Sequence, residues 1–226
     1  MKINIAIDGP SAAGKSTIAQ NLCKRLGYVH LDTGAMYRCT ALKALEKKIP
    51  LSDEEKVCEM LKDTEIVLTP DGRVILDGRD VTFEIRQDHV SMAASDVSKL
   101  QNVRKDLVKR QQEMAKARGF IMDGRDIGTV VLTDAEVKIY MTASAHARAL
   151  RRLLQNQEAG IETGDLESIE KEIEARDYQD MHREFSPLVK AEDAVEIDTS
   201  DLTIEEVCDK IYHLAEPYLS MQEKES

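Results

Sequence analysis

Residues 9–16 read Gly-Pro-Ser-Ala-Ala-Gly-Lys-Ser and match the pattern G-x-x-x-x-G-K-[ST]. Glycines at these places let backbone N–H groups turn inward around phosphate oxygens. Lys15 carries a charge to the outer phosphates, and the Ser16 hydroxyl can bind Mg²⁺. An apolar run at 3–8 precedes the loop. A stripe of Ile18, Ala19, Leu22, Cys23 and Leu26 at helical spacing follows it. The loop therefore sits between a strand and a helix, whose N-terminus adds its positive dipole end. A chance glycine-rich turn would lack this context. The ligand is a nucleoside triphosphate or similar polyphosphate, but the loop does not say where a phosphate goes.

Three helical segments carry charge where the period predicts apolar residues. Arg38 shares a face with Ala41, Leu42 and Leu45. It is either a snorkelling arginine or an anion-binding one. Ile169 and Ile173 open a buried stripe that continues at helical spacing into Arg176, Asp180 and Arg183. Such a stripe is a surface salt-bridge ladder or the polar wall of a cleft, and three affected turns favour the cleft. Arg148, Arg151 and Arg152 lie on one helix, flanked by Leu150, Leu153 and Leu154. They form a solvated basic face or belong to a lid that closes over transferring phosphates. The glycines at 160 and 164 suit a flexible link after that helix.

Asp-Gly-Arg-Asp occurs twice, at 77–80 and 123–126. The first copy lies in the 65–82 segment, where β-rich runs flank Pro70-Asp71-Gly72, and it reads as a turn of a small antiparallel insertion, expected to have three strands. The second follows a central apolar strand. Ligands collect at the carboxyl ends of such strands, so this copy is expected to be the functional one.

The elements that must position these residues alternate. Strands are expected at 3–8, 28–31, 120–123, 137–142 and 195–198. Helices are expected at 15–26, 35–47, 52–62 (with Ser52 as N-cap) and 204–219. This alternation predicts an α/β fold with a parallel sheet. The 226 residues suit one large domain or one with insertions. The 42 acids against 31 bases give a net charge of −11, which opposes binding of nucleic-acid polymers and anionic membranes. No apolar run reaches the ~18 residues of a transmembrane helix, and the first residues read as a strand rather than a signal peptide. The scattered cysteines at 23, 39, 58 and 208 form no zinc spacing and suit a reducing, cytoplasmic setting. The histidines show no ligand spacing, and no exposed apolar stripe stands out, so a monomer is expected.

The segments I-D-G-P-S-A-A-G-K-S-T, L-D-T-G-A-M-Y-R, D-G-R-D-I-G-T-V-V and A-R-D-Y-Q-D-M-H-R together resemble the bacterial cytidylate kinases of the nucleoside monophosphate kinase group. The inserted hairpin fits the same family, and the resemblance covers essentially the whole chain. It implies a three-layer P-loop kinase fold with a parallel five-stranded core, a small antiparallel β insertion and a short helical lid. The core would be 1–34, 97–143 and 190–226, the monophosphate-binding region 35–96, and the lid with its flanking helices 144–189. The implied reaction moves the ATP γ-phosphoryl group to CMP or dCMP, with Mg²⁺ carried by ATP and touching Ser16.

By the same resemblance, Gly9, Pro10, Ser11, Ala12, Ala13, Gly14, Lys15, Ser16 and Thr17 would hold the ATP phosphates. Thr33, Arg38 and Arg125 would hold the CMP phosphate, with Tyr37 in the same acceptor site. Ser95, Arg104, Asp126 and Arg183 would read cytosine. Arg176 and Asp180 would contact the ribose hydroxyls. Lys15, Arg125, Arg148 and Arg152 would stabilise the transferring phosphoryl group. Other readings stay open from the residues alone: a kinase for another small molecule, a P-loop switch or regulatory ATPase, or a nucleotide-responsive scaffold. The absence of an Asn-Lys-x-Asp guanine motif argues against a GTPase.

Overall fold

A computed structural model describes residues 2–69, 71–158 and 164–223, with side chains through 219. The expected turn at Pro70 and most of the glycine-containing link, 159–163, lie outside the described residues. In chain order the elements are β1 (Ile5–Asp8), α1 (Lys15–Leu26), β2 (Val29–Asp32), α2 (Thr33–Glu46), α3 (Glu54–Lys62), β3 (Ile66–Leu68), β4 (Val74–Leu76), β5 (Arg79–Asp80), a 3₁₀ turn (Glu84–Arg86), α4 (Asp88–Val97), α5 (Gln101–Ala115), β6 (Phe120–Gly124), a π-helical turn (Ile127–Val131), β7 (Val137–Thr142), α6 (Ala145–Glu158), α7 (Leu166–His182), β8 (Val195–Asp198) and α8 (Ile204–Glu223). The expected α/β fold is present. One five-stranded sheet has the order β2-β6-β1-β7-β8, and a three-stranded sheet has the order β3-β4-β5. The chain packs as two units, Met1–Tyr28 with Arg118–Ser226, and Val29–Ala117.

In the first unit β1 runs parallel to β6 and β7, with Ile5 opposite Ile121 and Val137, and Asp8 opposite Gly124 and Tyr140. β7 pairs in parallel with β8. Ile5, Ala6 and Ile7 are completely buried, as a strand covered on both faces must be. Ile18, Leu22 and Cys23 of α1 and Val207, Cys208 and Ile211 of α8 pack with these strands in one apolar core. Gly27 ends α1 in the left-handed conformation, its N–H donating to the Cys23 carbonyl. Because β1 lies between β6 and β7, its neighbours come from a distant part of the sequence. The carboxyl ends of β1 and β6, carrying Asp8 and Asp123, therefore open side by side, where ligands bind in such sheets.

In the second unit the insertion has the three antiparallel strands expected, with Leu68 opposite Val74 and Leu76 opposite Arg79. Asp77 and Gly78 form the two-residue β4–β5 turn with φ of 49° and 81°, the pair of positive values that favours Asp-Gly. Arg79 ends there as a half-exposed side chain pairing with Glu46 and Glu84. Two local expectations fail. The N-cap of α3 is Asp53, not Ser52, and its carboxylate accepts from Lys56 N. Asp serves as well as Ser in that role, so the sequence pattern did not separate neighbours. Leu45 is exposed, so the buried part of α2 ends with Ala44.

Candidate active site

The loop at 9–16 leaves β1 through a backbone that only glycine tolerates. Gly9 has a φ of 149°, and a Cβ there would lie 2.2 Å from the Met141 carbonyl oxygen. Gly14, at a φ of 87°, precedes the first turn of α1, where it provides no side-chain cap. Lys15 is 6 % exposed. Its Nζ donates to the carbonyls of Gly9 and Pro10 at 2.8 and 2.7 Å. Burial, and then the nearby Arg125 charge, bring its pKa down to about 7, while Asp123, Asp8 and Asp180 oppose the fall. The Ser16 hydroxyl donates to Asp123 Oδ2 at 2.9 Å. Ser11, Ala13 and Pro10 are buried, and Thr17 is exposed on the first turn of α1.

The second Asp-Gly-Arg-Asp copy ends β6 and leads into the π-helical turn. Arg125 Nε donates to Asp180 Oδ2 at 2.8 Å. Asp180 Oδ1 stands 3.6 Å from Arg183, and Asp126 Oδ1 stands 3.7 Å from Arg183. At those separations the contact is Coulombic rather than a hydrogen bond. Burial would raise the Asp180 pKa, but Arg125, Arg183 and Arg176 outweigh it and hold the carboxylate below its ordinary range. Burial works against the Arg125 charge as well, and Asp180, Asp177 and Asp123 more than restore it. The charged half of α7 thus faces inward, as the cleft reading requires of Asp180. Arg176 is half-buried beside it.

Arg148 is buried, not splayed into solvent. Its guanidinium donates to the Ser11 carbonyl at 3.0 Å and pairs with Asp177 Oδ2 at 2.6 Å. Arg151 donates to Thr199, and Arg152 is half-buried on the same helix. Helices α6 and α7 are held together by Ala149, Ile169 and Ile173, with Leu153 against them.

The second unit brings its own candidates together. Asp32 caps α2 by accepting from Ala35 N at 3.0 Å, and Arg38 donates to its other oxygen at 2.6 Å. Burial would raise the Asp32 pKa, but Arg38 and His30 keep it below the ordinary carboxylate range. Thr33 is buried at the helix start, and the Arg104 guanidinium of α5 lies 5.2 Å from the Tyr37 ring centroid. Arg104 also donates to the Ser98 carbonyl, and Ser95 is half-buried on α4.

Three buried carboxylates belong to the first unit's cluster and escaped the sequence reading: Asp8, Asp123 and Asp177. Asp8 and Asp123 each fall at the carboxyl end of an apolar strand, the signal that could have found them. Asp177 follows Ile173 by one helical turn, as Arg176 also nearly does, and the periodicity admits both.

The cytidylate kinase family model matches residues 5–217. A cytidylate kinase of Caldicellulosiruptor saccharolyticus is 55 % identical over 216 residues, covering 94 % of this chain and 95 % of that protein. One of Bacillus subtilis is 49 % identical over 218 residues, covering 95 % and 97 %. A shikimate kinase structure from Bacteroides thetaiotaomicron aligns over 95 % of this chain and 98 % of its own, with a TM-score of 0.51 at 10 % identity, a likeness of fold alone. With half the residues shared along nearly the full length of both relatives, and with the phosphate loop opening the matched region, the chain belongs to the cytidylate kinase family.

Proposed function

We propose that the protein transfers the γ-phosphoryl group of ATP to CMP and to dCMP, giving ADP and CDP or dCDP. The observation that carries this reading is the cluster at the carboxyl ends of β1 and β6. There the phosphate loop with Lys15 lies in the same unit as the Arg125–Asp180–Arg183 chain. A phosphate oxygen of CMP attacks the γ-phosphorus, the bond to the β-phosphate oxygen breaks, and ADP leaves with that electron pair. No side chain has to act as nucleophile, so positioning and charge neutralisation carry the catalysis.

The loop N–H groups and Lys15 hold the donor phosphates. Arg125, oriented by Asp180, meets the acceptor phosphate. Asp126 suits the amino group of cytosine, and Arg183 suits its ring acceptors. Uracil presents the reverse polarity and would leave these buried groups unpaired. Arg176 and Asp180 are assigned to the ribose, Arg148 and Arg152 to the transferring phosphoryl group, and Thr33, Tyr37, Arg38, Ser95 and Arg104 of the second unit to the acceptor. The functional division into core (1–34, 97–143, 190–226), monophosphate-binding region (35–96) and lid with flanking helices (144–189) belongs to the same proposal.

The Ser16–Asp123 oxygen pair fits Mg²⁺, which takes few protein ligands and keeps water and phosphate oxygens. Among the described residues no three His, Cys, Asp or Glu side chains group to hold a metal. When bound, the ion neutralises phosphate charge; Ser16 and Asp123 would hold it. A monomer in a reducing, cytoplasmic compartment completes the reading, supported by four free cysteines. Among the described residues no helix is long and apolar enough to cross a membrane.

The test is ADP release, measured with CMP, dCMP, UMP, AMP and no acceptor. Rates with CMP and dCMP well above the others are expected, and Asp126→Ala should narrow the preference for CMP over UMP. ADP release that ignores the acceptor would point instead to a simple ATPase.

A further inference from the structure

We infer that Asp8 is a positioning residue for the acceptor half of the site: its carboxylate holds in place the turn that carries Arg125 and Asp126. The inference rests on the reading of those two residues as acceptor-binding groups. Asp8 is the last residue of β1, immediately before the Gly9 that begins the phosphate loop. Across the sheet it stands opposite Gly124 of β6 and Tyr140 of β7. Its oxygens reach past Gly124. Oδ1 accepts from Ile127 N at 2.7 Å, and Oδ2 accepts from Gly128 N at 2.7 Å. Gly124 is thus fixed by the strand ladder and Ile127 by the Asp8 side chain. The only residues between those fixed points are Arg125 and Asp126. One residue of the donor strand therefore sets both ends of the acceptor dipeptide.

Lys138 packs against the turn beside Asp8. A Cβ on Gly128 would meet Lys138 Cδ at 3.2 Å and Asp8 Oδ2 at 3.4 Å. Lys138 is itself held, its Nζ donating to the Thr133 carbonyl and to Asp193. The choice of a carboxylate follows from the need for two separate acceptors at once, since an asparagine or serine offers one oxygen. It is a costly choice at 4 % exposure. Burial lifts the Asp8 pKa to about 6 although both N–H donors favour the charged form; Asp126 adds to the rise and Lys15 opposes it. Tyr140, with its own pKa raised mainly by burial and then by Asp8, also faces it, and the Lys138 side chain lies beside it at Gly128.

The experiment is Asp8→Asn, a near-isosteric change that removes one acceptor. Steady-state kinetics across pH 5–8 should show kcat/KM for CMP reduced ~10-fold or more at the upper end, with KM for ATP little changed. The ratio of wild type to variant should shrink as pH falls through about 6, when the wild-type Asp8 is protonated as well. The titration of the CMP phosphate is common to both proteins and cancels in that ratio. Gly128→Ala should reproduce the acceptor-side loss. Without substrate, the backbone amide signals of Ile127 and Gly128 should titrate together in wild type and be flat in Asp8→Asn. A loss shared equally by ATP and CMP, a defect independent of pH, or amides that do not titrate would overturn the role. A wild-type protein that fails to phosphorylate CMP would instead remove the acceptor reading on which the role depends, while the amide titration still reports whether Asp8 holds the turn.

Discussion

Replacing Asp180 with asparagine removes the charge that joins two arginines of the proposed acceptor site while keeping the side chain's shape. The structure sets the size of the effect. Asp180 makes one charge-assisted hydrogen bond, to Arg125 at 2.8 Å, and a longer Coulombic contact to Arg183 at 3.6 Å. A hydrogen bond to a charged group contributes ~1.5–3 kcal/mol, and breaking a buried pair by removing one partner costs ~3–5 kcal/mol. Arg125 keeps Asp177 and Asp123 nearby, so the cost should fall below that of a stranded charge and within the hydrogen-bond range, ~2–3 kcal/mol. In rate that is roughly 30–150-fold. In a chain of this size it lowers Tm by ~4–12 °C. The expected result is a drop of that order in kcat/KM for CMP and dCMP alike, because both need Arg125 in place. A further several-fold loss confined to CMP is expected, because Asp180 is assigned to the 2′-hydroxyl. KM for ATP should hardly move. The pH dependence has a definite sign. The folded-state pKa of Asp180 is depressed, so its contribution is present above the unfolded value of ~3.9 and is lost as pH falls through the lower folded value. The Tm gap between variant and wild type should be constant from neutral pH to about 5 and close in acid. Kinetics with both acceptors and thermal melts at several pH values read all of this. A loss confined to ATP, or unchanged turnover with unchanged Tm, would refute the reasoning and return the α7 charges to a purely structural ladder.

Lys15, with a pKa of about 7, should take up a proton when a polyphosphate binds near pH 8; calorimetry in buffers of different ionisation heat should detect the uptake, and Lys15→Met should abolish it. The same depression means that the unfolded chain holds one more proton between about 7 and the ordinary lysine value, so the Lys15 contribution to stability should rise with pH across that window, read as the difference in Tm between wild type and Lys15→Met. Arg79→Ala should change turnover by less than about twofold and stability by under ~0.5 kcal/mol, because its ion pairs are half-exposed, whereas Arg125→Ala should raise KM for CMP and lower kcat. Arg148→Met and Asp177→Leu should each cost ~3–5 kcal/mol by stranding a buried charge, and the double variant should melt well above the sum of the two losses, as a cycle of denaturation curves would show.

What the sequence determined by itself was local. The phosphate loop was legible because its function is a property of eight consecutive residues: glycine φ values, inward N–H groups and the helix that follows. The β3–β5 insertion was legible because turn chemistry and strand alternation act over a few residues. The two copies of Asp-Gly-Arg-Asp mark the boundary of that legibility. Their local sequences are the same, yet Asp77-Gly78 closes a tight turn with Arg79 half-exposed and paired to Glu46 and Glu84, while Asp123-Gly124 ends a buried strand with Arg125 paired to Asp180. Flanking hydrophobicity suggested the difference, and only strand order produced it. The arginines of α6, flanked by leucines, left a solvated basic face and a lid both open; packing of α6 on α7 buries Arg148 under Ser11 and against Asp177, which excludes the solvated face for that residue. Asp8 was plain to see as a residue and silent as to role. Its partners, Ile127 and Gly128, come 119 and 120 positions later. A carboxylate's chemistry depends on which donors surround it, and for a buried group those donors are supplied by the fold rather than by neighbours in the chain.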